Sequence, residues 1–142
     1  MKSAEARTVR LDIASRIEML DMVQAVLTHL CSVLGFGEEA VHYMSVAIRE
    51  SVVNAMKHGN KLDESKRVIV EFVMHAGALE IRVQDQGAGF DPAAVPDPVA
   101  EENLLKAYGR GIFFMRQFMD EVQHSSPPKG GTIVRMLKRV PA

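Results

Sequence analysis

The sequence is short of the residues that form covalent cross-links and thiolate metal centres. It has one cysteine, Cys31. A single cysteine excludes an internal disulfide and a thiolate zinc cluster, and such usage is typical of a reducing compartment, so we expect the cytoplasm. The N-terminal residues lack the apolar core of a signal peptide, and no later apolar run approaches membrane-spanning length. We therefore expect a soluble protein with no membrane partner.

An excess of charge of either sign is also missing. Lysine and arginine number 17 against 18 acidic residues, which gives a formal net charge of -1. This balance argues against broad attraction to nucleic acid, and we expect no direct nucleic-acid partner. A chain of 142 residues with 47% hydrophobic and 25% charged side chains fits one globular domain spanning residues 1–142.

Several common catalytic motifs are absent. The sequence contains no Gly-x-x-x-x-Gly-Lys-Ser/Thr loop, and none of its Gly-x-Gly pairs has the third glycine of a dinucleotide fingerprint. Cys-x-x-Cys, His-Glu-x-x-His and Gly-x-Ser-x-Gly are missing too, which argues against the commonest metal and acyl-transfer sites. Four histidines show no metal spacing and are interpreted as structural or exposed: His29, His42, His75 and His124.

The periodicity of apolar residues predicts an α+β fold. The predicted elements are a strand over 7–13 at a sheet edge, a helix from an N-cap at Ser15 to Gly35, a helix from Gly37 to about Gly59, strands over 67–75 and 78–85 forming a hairpin, a helix over 112–119, and strands over 120–125 and 132–138. Residues 91–109 carry three prolines, and a connection this long is typical of a functional lid. This order predicts a mixed, mostly antiparallel sheet with the helices on one face.

Two polar residues stand one turn apart on the second predicted helix. Glu50 and Asn54 project from the same helix face, so both can reach one metal-bound phosphate. A carboxylate there can deprotonate an attacking hydroxyl, and the amide oxygen of asparagine suits Mg²⁺. The alternatives are a surface ion pair, for example with Lys57, and a buried hydrogen bond or cap for Asn54. His58 either supports the site or is a polar residue at the helix end.

A second cluster follows the predicted hairpin. Asp85 ends a strand and can accept a hydrogen bond from an exocyclic amine such as that of adenine. Gly87 and Gly89 remove side chains where a ligand or backbone comes close. An Asx-type turn before Gly87 is the alternative.

A third cluster opens the last predicted helix. Gly109 and Gly111 offer backbone donors that can face phosphate oxygens, and Lys106 and Arg110 can meet negative charge. Each cluster alone is also explained by ordinary turn or helix-start chemistry. Together, the three separated clusters predict a site for ATP and Mg²⁺.

The three clusters resemble those of the ATPase superfamily shared by gyrase, the histidine kinases, heat-shock chaperones and mismatch-repair ATPases. Within it, the sequence is most similar to the anti-sigma factor serine/threonine kinases, over nearly the whole chain. The motifs that carry the resemblance are Glu50-x-x-x-Asn54-Ala55-x-x-His58-Gly59, Asp85-x-Gly87-x-Gly89-Phe90, and Gly109-x-Gly111 followed by Met115 and Met119-Asp120-Glu121-Val122.

The resemblance implies a two-layer α/β sandwich, the histidine-kinase-like ATPase or Bergerat fold, with ATP under a lid at about 91–109. It implies that Glu50 is the catalytic base, that Asn54 is the magnesium ligand, and that Asp85 recognises adenine. The residues it implies around the nucleotide are Asn54, His58, Asp85, Gly87, Gly89, Phe90, Lys106, Gly109, Arg110, Gly111 and Thr132.

The resemblance also implies partners. Such a kinase phosphorylates a small anti-anti-sigma antagonist, alternatively holds a sigma factor, and is typically a homodimer. A histidine kinase is disfavoured because no room remains for a helix pair with a phospho-accepting histidine. Family members often carry a basic residue just before the glycine pair, whereas Ala107-Tyr108 stand there in this chain. A nucleotide-gated binding module without kinase activity is therefore the second hypothesis, and a domain that has lost nucleotide is the third.

Overall fold

The computed structural model describes residues 7–87 and 110–141. Several positions singled out in the sequence lie outside the described residues. These are the lid at about 91–109, with Lys106 and Gly109, and the motif residues Gly89 and Phe90, together with the side chain of Arg110.

Every predicted helix and strand outside the lid is present. The strands are β1 (Thr8–Ala14), β2 (Arg67–His75), β3 (Ala78–Gln84), β4 (Glu121–Ser125) and β5 (Ile133–Arg139). The helices are α1 (Leu20–Leu34), α2 (Glu38–Asn54) and α3 (Arg110–Phe118), with a 3₁₀ turn at Ile17–Met19 before α1 and a wide π-type turn at Ala55–Gly59 after α2. The predicted α+β class is confirmed.

The five strands form one sheet in the order β1-β2-β3-β5-β4. The edge position predicted for β1 is confirmed, because β1 pairs with β2 alone among the described strands. Every described pairing is antiparallel, so the parallel component of the predicted mixed sheet is not found in the described strands. The antiparallel arrangement follows from short connections such as the β2–β3 turn, where Gly77 has a φ of 73°.

One face of the sheet carries the apolar rows that pack against the helices. Two cross-strand rows face inward: Val9, Phe72, Ile81, Met136 and Val122, and beside it Leu11, Val70, Val83, Val134 and His124. Members of these rows share one hydrophobic cluster with the buried faces of the three helices. A fully buried Phe72 alone contributes about 1.5–3 kcal/mol relative to an exposed ring, so this interface fixes the sheet against α1 and α2.

The ends of α1 confirm one prediction and correct another. Gly35 ends the helix in the left-handed region, at a φ of 89°, and its N–H donates to the Cys31 carbonyl, as a C-terminal glycine cap should. The predicted N-cap at Ser15 is wrong. The Ser15 hydroxyl donates to the Lys66 carbonyl at 2.8 Å and accepts from Asn60 at 2.9 Å, so it is committed to a distant part of the chain.

The expectation that no apolar run approaches membrane-spanning length is also wrong by length and composition. Among the described residues, one segment, Ile17–Leu34, has 18 residues and a mean hydropathy of 1.4, enough to cross a membrane. This is weak evidence for a membrane span, since the core helix of a water-soluble protein satisfies the same criteria. The segment places a stripe of five residues in the hydrophobic cluster: Leu20, Val23, Leu27, Leu30 and Cys31.

The face of the sheet opposite the helices contains a buried carboxylate, that of Glu80 in β3. Glu80 is only 4% exposed. Its carboxylate lies 2.8 Å from the His75 ring nitrogen and accepts from Arg82 at 2.7 Å and Arg135 at 3.0 Å. Burial alone would raise the pKa of Glu80, but the hydrogen bonds and charges of these neighbours outweigh it and lower the pKa.

Candidate functional site

Helix α2 brings Glu50 and Asn54 to the start of α3. Asn54 is 8% exposed and Glu50 is half-buried. A Cβ added at Gly111 would lie 3.0 Å from both the Glu50 Oε2 and the Asn54 Nδ2 atoms. The backbone at the start of α3 therefore packs directly on the two polar side chains, and glycine at 111 permits that approach.

Asp85 is anchored through one of its two carboxylate oxygens. It is 4% exposed, and its Oδ1 accepts from the backbone N–H groups of Gly87 at 3.0 Å and Thr132 at 3.2 Å. Burial raises the pKa of Asp85, although these two hydrogen bonds act in the opposite direction. The bond to Gly87 is the Asx-type turn considered as the alternative, and it occupies Oδ1 only. No described residue donates to Oδ2, which remains available to accept from an amine.

Three glycines surround Asp85 at distances that exclude a side chain. A Cβ at Gly59 would overlap the Asp85 carboxylate carbon, and one at Gly131 would overlap the Asp85 carbonyl oxygen. A Cβ at Gly87 would overlap the carbonyl oxygen of Gly59. From the sequence we predicted a role for Gly87 but none for Gly59 or Gly131. Both could have been found from their neighbours, because Gly59 follows His58 in the first motif and Gly131 precedes Thr132.

Asn54 and Asp85 line one small cavity. Its volume, measured as the space open to the centre of a water molecule, is about 10 Å³, which is room for about one water. The other lining residues are Ser51, Ala55, Val83, Met115, His124, Thr132 and Val134. The cavity thus brings together α2, the end of β3 and the start of β5.

The Ser51 hydroxyl and the Asn54 Nδ2 are buried polar atoms at this cavity, and neither has a hydrogen-bond partner in the part of the chain that the structure describes. A buried polar group left unsatisfied costs about 1–3 kcal/mol, so these two atoms point to a bound water or ligand. The sequence alone did not indicate a role for Ser51, because a small residue in α2 belongs to no recognised motif.

His124 occupies an inward-facing position in β4 and lines the same cavity. Burial lowers its pKa to about 4, and the positive charge of Arg116 acts in the same direction. The imidazole is therefore neutral at pH 7. The missing metal spacing led us to interpret His124 as structural or exposed, and the alternation of β4 was the signal that would have placed it inside.

The structure does not bring His58 to the cavity. Its side chain is exposed on the wide turn after Asn54, which fits the alternative of a polar residue at the helix end. For Glu50, the alternative was a surface ion pair with Lys57. No ion pair of Glu50 is formed with Lys57 or with any other described residue.

The comparison with known sequences agrees with this arrangement. The family profile described as "Histidine kinase-like ATPase domain" matches residues 13–138. The chain belongs to the histidine kinase-like ATPase family. The resemblance to the anti-sigma factor serine kinases is confirmed as well, since this histidine kinase-like ATPase has curated relatives named serine-protein kinase RsbW.

Two of these relatives show how far the similarity reaches. The RsbW of Listeria monocytogenes is 28% identical over 121 residues, which cover 81% of this chain and 77% of the relative. The RsbW of Bacillus subtilis is 24% identical over 136 residues, 92% of this chain and 84% of the relative.

Two solved structures share the fold. The RsbU and RsbW domains of a Mycobacterium tuberculosis protein match with a TM-score of 0.69 and 19% identity, covering 95% of this chain but only 33% of that longer chain. The SiaB–SiaC complex of Pseudomonas aeruginosa matches with a TM-score of 0.67 and 13% identity, covering 94% of this chain and 90% of that one. At these identities the likeness concerns the fold alone.

The donors and acceptors at this site match the chemistry of an adenine nucleotide with its cation. Asp85 Oδ2 can accept from an exocyclic amine, and the Ser51 hydroxyl and Asn54 carboxamide supply further polar groups. Among the described residues, no group of three His, Cys, Asp or Glu side chains can hold a metal ion. A magnesium ion at Asn54 would therefore take most of its ligands from phosphate and water, as this cation commonly does.

Proposed function

We propose that this protein is an ATP-dependent serine/threonine protein kinase of the anti-sigma type. Its substrate is a small anti-anti-sigma antagonist protein, and phosphorylation of that protein controls a sigma factor by partner switching. The active unit is one ATPase domain over residues 1–142 with an ATP lid at about 91–109. We further propose that it acts in the cytoplasm as a homodimer.

The observation that carries this proposal is the junction at Asn54. This one side chain lines the cavity that Asp85 also lines, and it meets Gly111 beside Glu50. Asn54 therefore lies between Asp85, which can recognise a base, and Glu50, which can accept a proton. The names of the RsbW relatives, all serine-protein kinases, support the reaction class, and the name of the SiaB–SiaC complex supports a protein partner.

Three side chains of the proposed site have separate roles in phosphoryl transfer. Asp85 accepts a hydrogen bond from the adenine amine and thereby orients the base. Asn54 would hold Mg²⁺ through its carboxamide oxygen. Glu50 orients the acceptor hydroxyl of the substrate serine or threonine and takes its proton. ATP would supply the phosphoryl group, with ADP as the leaving group, and its Mg²⁺ would neutralise the developing charge.

The remaining nucleotide contacts are proposed from the motifs. Gly87 and Thr132 hold Asp85 in place through their backbone N–H groups. Those assigned from the motifs alone are Gly89, Phe90, Lys106, Gly109, Arg110 and Gly111, with the backbone of 109–111 and the two cationic side chains facing the phosphates.

Phosphoryl transfer from labelled Mg-ATP to a candidate anti-anti-sigma protein tests the proposal. We expect Glu50→Gln to lower the transfer rate by about 100-fold or more, the usual scale for loss of a general base, while ATP affinity changes little. Glu39→Gln is the matched control, because Glu39 is an exposed carboxylate in the first turn of the same helix. It should leave the transfer rate unchanged.

The same assay separates the alternatives. Partner affinity that depends on ATP, with no phosphoprotein detected by mass spectrometry, would support the nucleotide-gated binding module instead. Absence of ATP binding in calorimetry would contradict both hypotheses. A Glu50→Gln variant that transfers phosphate at the full rate would remove Glu50 from the mechanism.

A further inference from the structure

Asn60 is a fully buried polar residue directly after the wide turn that ends α2. Its exposed fraction is 0%. Its Nδ2 donates to the Ser15 hydroxyl and to the Arg67 carbonyl, both at 2.9 Å, and its Oδ1 accepts from the backbone N–H of Gln86 at 2.8 Å. Its own N–H donates to the Ala55 carbonyl at 2.8 Å. The side chain of Asn60 therefore joins the end of β1, the start of β2 and the segment after β3, and its backbone N–H attaches this junction to the turn that ends α2.

The contacts of Asn60 specify a carboxamide in one orientation. The Arg67 carbonyl can only accept, so it requires a donor, and the Gln86 N–H can only donate, so it requires an acceptor. A flipped amide would oppose like groups at both positions. Aspartate would lose both donors, and an apolar residue would lose every side-chain contact.

The segment that Asn60 holds is the one that carries the proposed base-recognising carboxylate. Gln86 lies between Asp85 and Gly87, and its N–H is the group that Asn60 accepts from. The preceding residue, Gly59, packs against Asp85 and Gly87 so closely that a Cβ at either glycine would overlap its neighbour. The turn that follows α2 therefore holds this segment in two ways. Asn60 forms the hydrogen bond to Gln86, and the backbone of Gly59 packs against Asp85 and Gly87.

We propose that Asn60 is a positioning residue that fixes the Asp85–Gly87 segment on the end of α2. Its effect is to keep the base-recognising Asp85 at a constant separation from Glu50 and Asn54, which α2 carries ten and six residues before Asn60. The expected effect on nucleotide selectivity rests on the proposed function. The hydrogen bond between Asn60 and the Gln86 N–H does not depend on any ligand.

Amide hydrogen exchange measured by NMR without nucleotide tests the hold directly. In Asn60→Ala, the Gln86 amide should exchange roughly tenfold faster or more, as expected for the loss of one buried hydrogen bond. The Asp85 amide, which donates to the Thr132 carbonyl, should be much less affected. Ser15→Ala is the matched control, because it removes a hydroxyl from the same network and leaves the Gln86 bond in place.

Nucleotide selectivity provides the second readout. We expect the ratio of ATP to GTP affinity, measured by calorimetry, to fall roughly tenfold in Asn60→Ala and to stay at the wild-type value in Ser15→Ala. A purely structural role would lower the stability of both variants and leave the ratio alone. Asn60→Asp keeps the acceptor for Gln86 and should retain the wild-type ratio.

The outcomes are separable. Equal Gln86 exchange in Asn60→Ala and Ser15→Ala, or an unchanged affinity ratio in Asn60→Ala, would overturn the proposal. Failure of both Asn60 variants to fold would assign Asn60 to fold stability alone and would overturn it too. If the wild-type protein binds no ATP, the proposed function fails, while the exchange experiment still decides whether Asn60 holds the segment.

Discussion

Asp85 illustrates how a single residue becomes fixed in a site. Its Oδ1 is held by two backbone N–H groups, and glycines 59, 87 and 131 surround it without side chains. The carboxylate is left with one open oxygen and no room to turn. A charged group buried in this way costs stability, which the raised pKa of Asp85 reflects. Such a cost at a cavity is typical of a functional position.

The packing at Gly59 leads to a prediction for Gly59→Ala. The new Cβ would overlap the Asp85 carboxylate, so Asp85 must move away from its two backbone donors. We expect a loss of about 1–3 kcal/mol in the free energy of unfolding, the usual cost of an overpacked site. ATP affinity, measured by calorimetry, should fall about tenfold or more because the base-recognising oxygen is displaced.

Gly37→Ala is the control for that variant. A Cβ at Gly37 has nothing within 4 Å, and the residue lies outside the left-handed region, with a φ of -75°. Its unfolding free energy should change by less than about 1 kcal/mol and its ATP affinity should not change. Unaltered ATP affinity in Gly59→Ala would show that Asp85 does not contact the nucleotide.

His124 leads to a pH prediction of defined sign. Burial lowers its pKa from 6.5 to about 4 in the folded chain. Between these values the unfolded chain binds more protons, so the free energy of unfolding decreases as the pH falls from about 6.5 to 4. The contribution is about 3 kcal/mol when complete. Urea unfolding of wild type and His124→Gln at several pH values measures it, and parallel curves over this window would contradict the assignment.

At the scale of helices and strands, the sequence determined most of what the structure contains. The period of the apolar residues located each described helix and strand, and the Glu50–Asn54 spacing predicted that both side chains project from one face of α2. Long-range partners were not predictable. Ser15 looked like a helix cap from its local pattern, yet its partner Asn60 lies 45 residues away. The local sequence pattern predicts which face of a helix or strand a side chain occupies. The hydrogen-bond partners that are distant in sequence depend on the whole fold.

The outer face of the sheet gives a prediction for Glu80, where three strand side chains converge on one carboxylate. Glu80→Gln removes the charge that Arg82 and Arg135 contact from β3 and β5. We expect a loss of about 1–3 kcal/mol in unfolding free energy, below the value for a fully buried pair because the Arg82 side chain is 48% exposed. Chemical denaturation measures this loss.

Glu71→Gln is the matched control for Glu80. Glu71 lies on the same face of the sheet, opposite Arg82 in the register, and is less buried than Glu80. Its substitution should change the unfolding free energy by no more than about 0.5 kcal/mol. Equal losses in the two variants would mean that the buried carboxylate has no special role in joining β2, β3 and β5.

For the whole molecule, the proposed site joins parts of the chain that are remote in sequence. Asn54 at the end of α2, Asp85 at the end of β3 and Thr132 before β5 line one cavity. A ligand that contacts all three binds the folded chain and not the unfolded one. Binding must therefore raise the stability of the entire fold and not only that of the cavity.

This coupling predicts the effect of nucleotide on thermal unfolding. At Mg-ATP concentrations about 100-fold above Kd, the folded state gains about 2.7 kcal/mol, which raises Tm by roughly 10 °C for a chain of this size. GTP should raise Tm much less, because Asp85 accepts from the amine that adenine carries and guanine replaces with a carbonyl acceptor. Asp85→Asn should abolish the ATP effect, and chelation of Mg²⁺ should reduce it. An equal rise of Tm with ATP and GTP would mean that the cavity recognises phosphate alone, and that Asp85 is held among its glycines for the fold and not for the base.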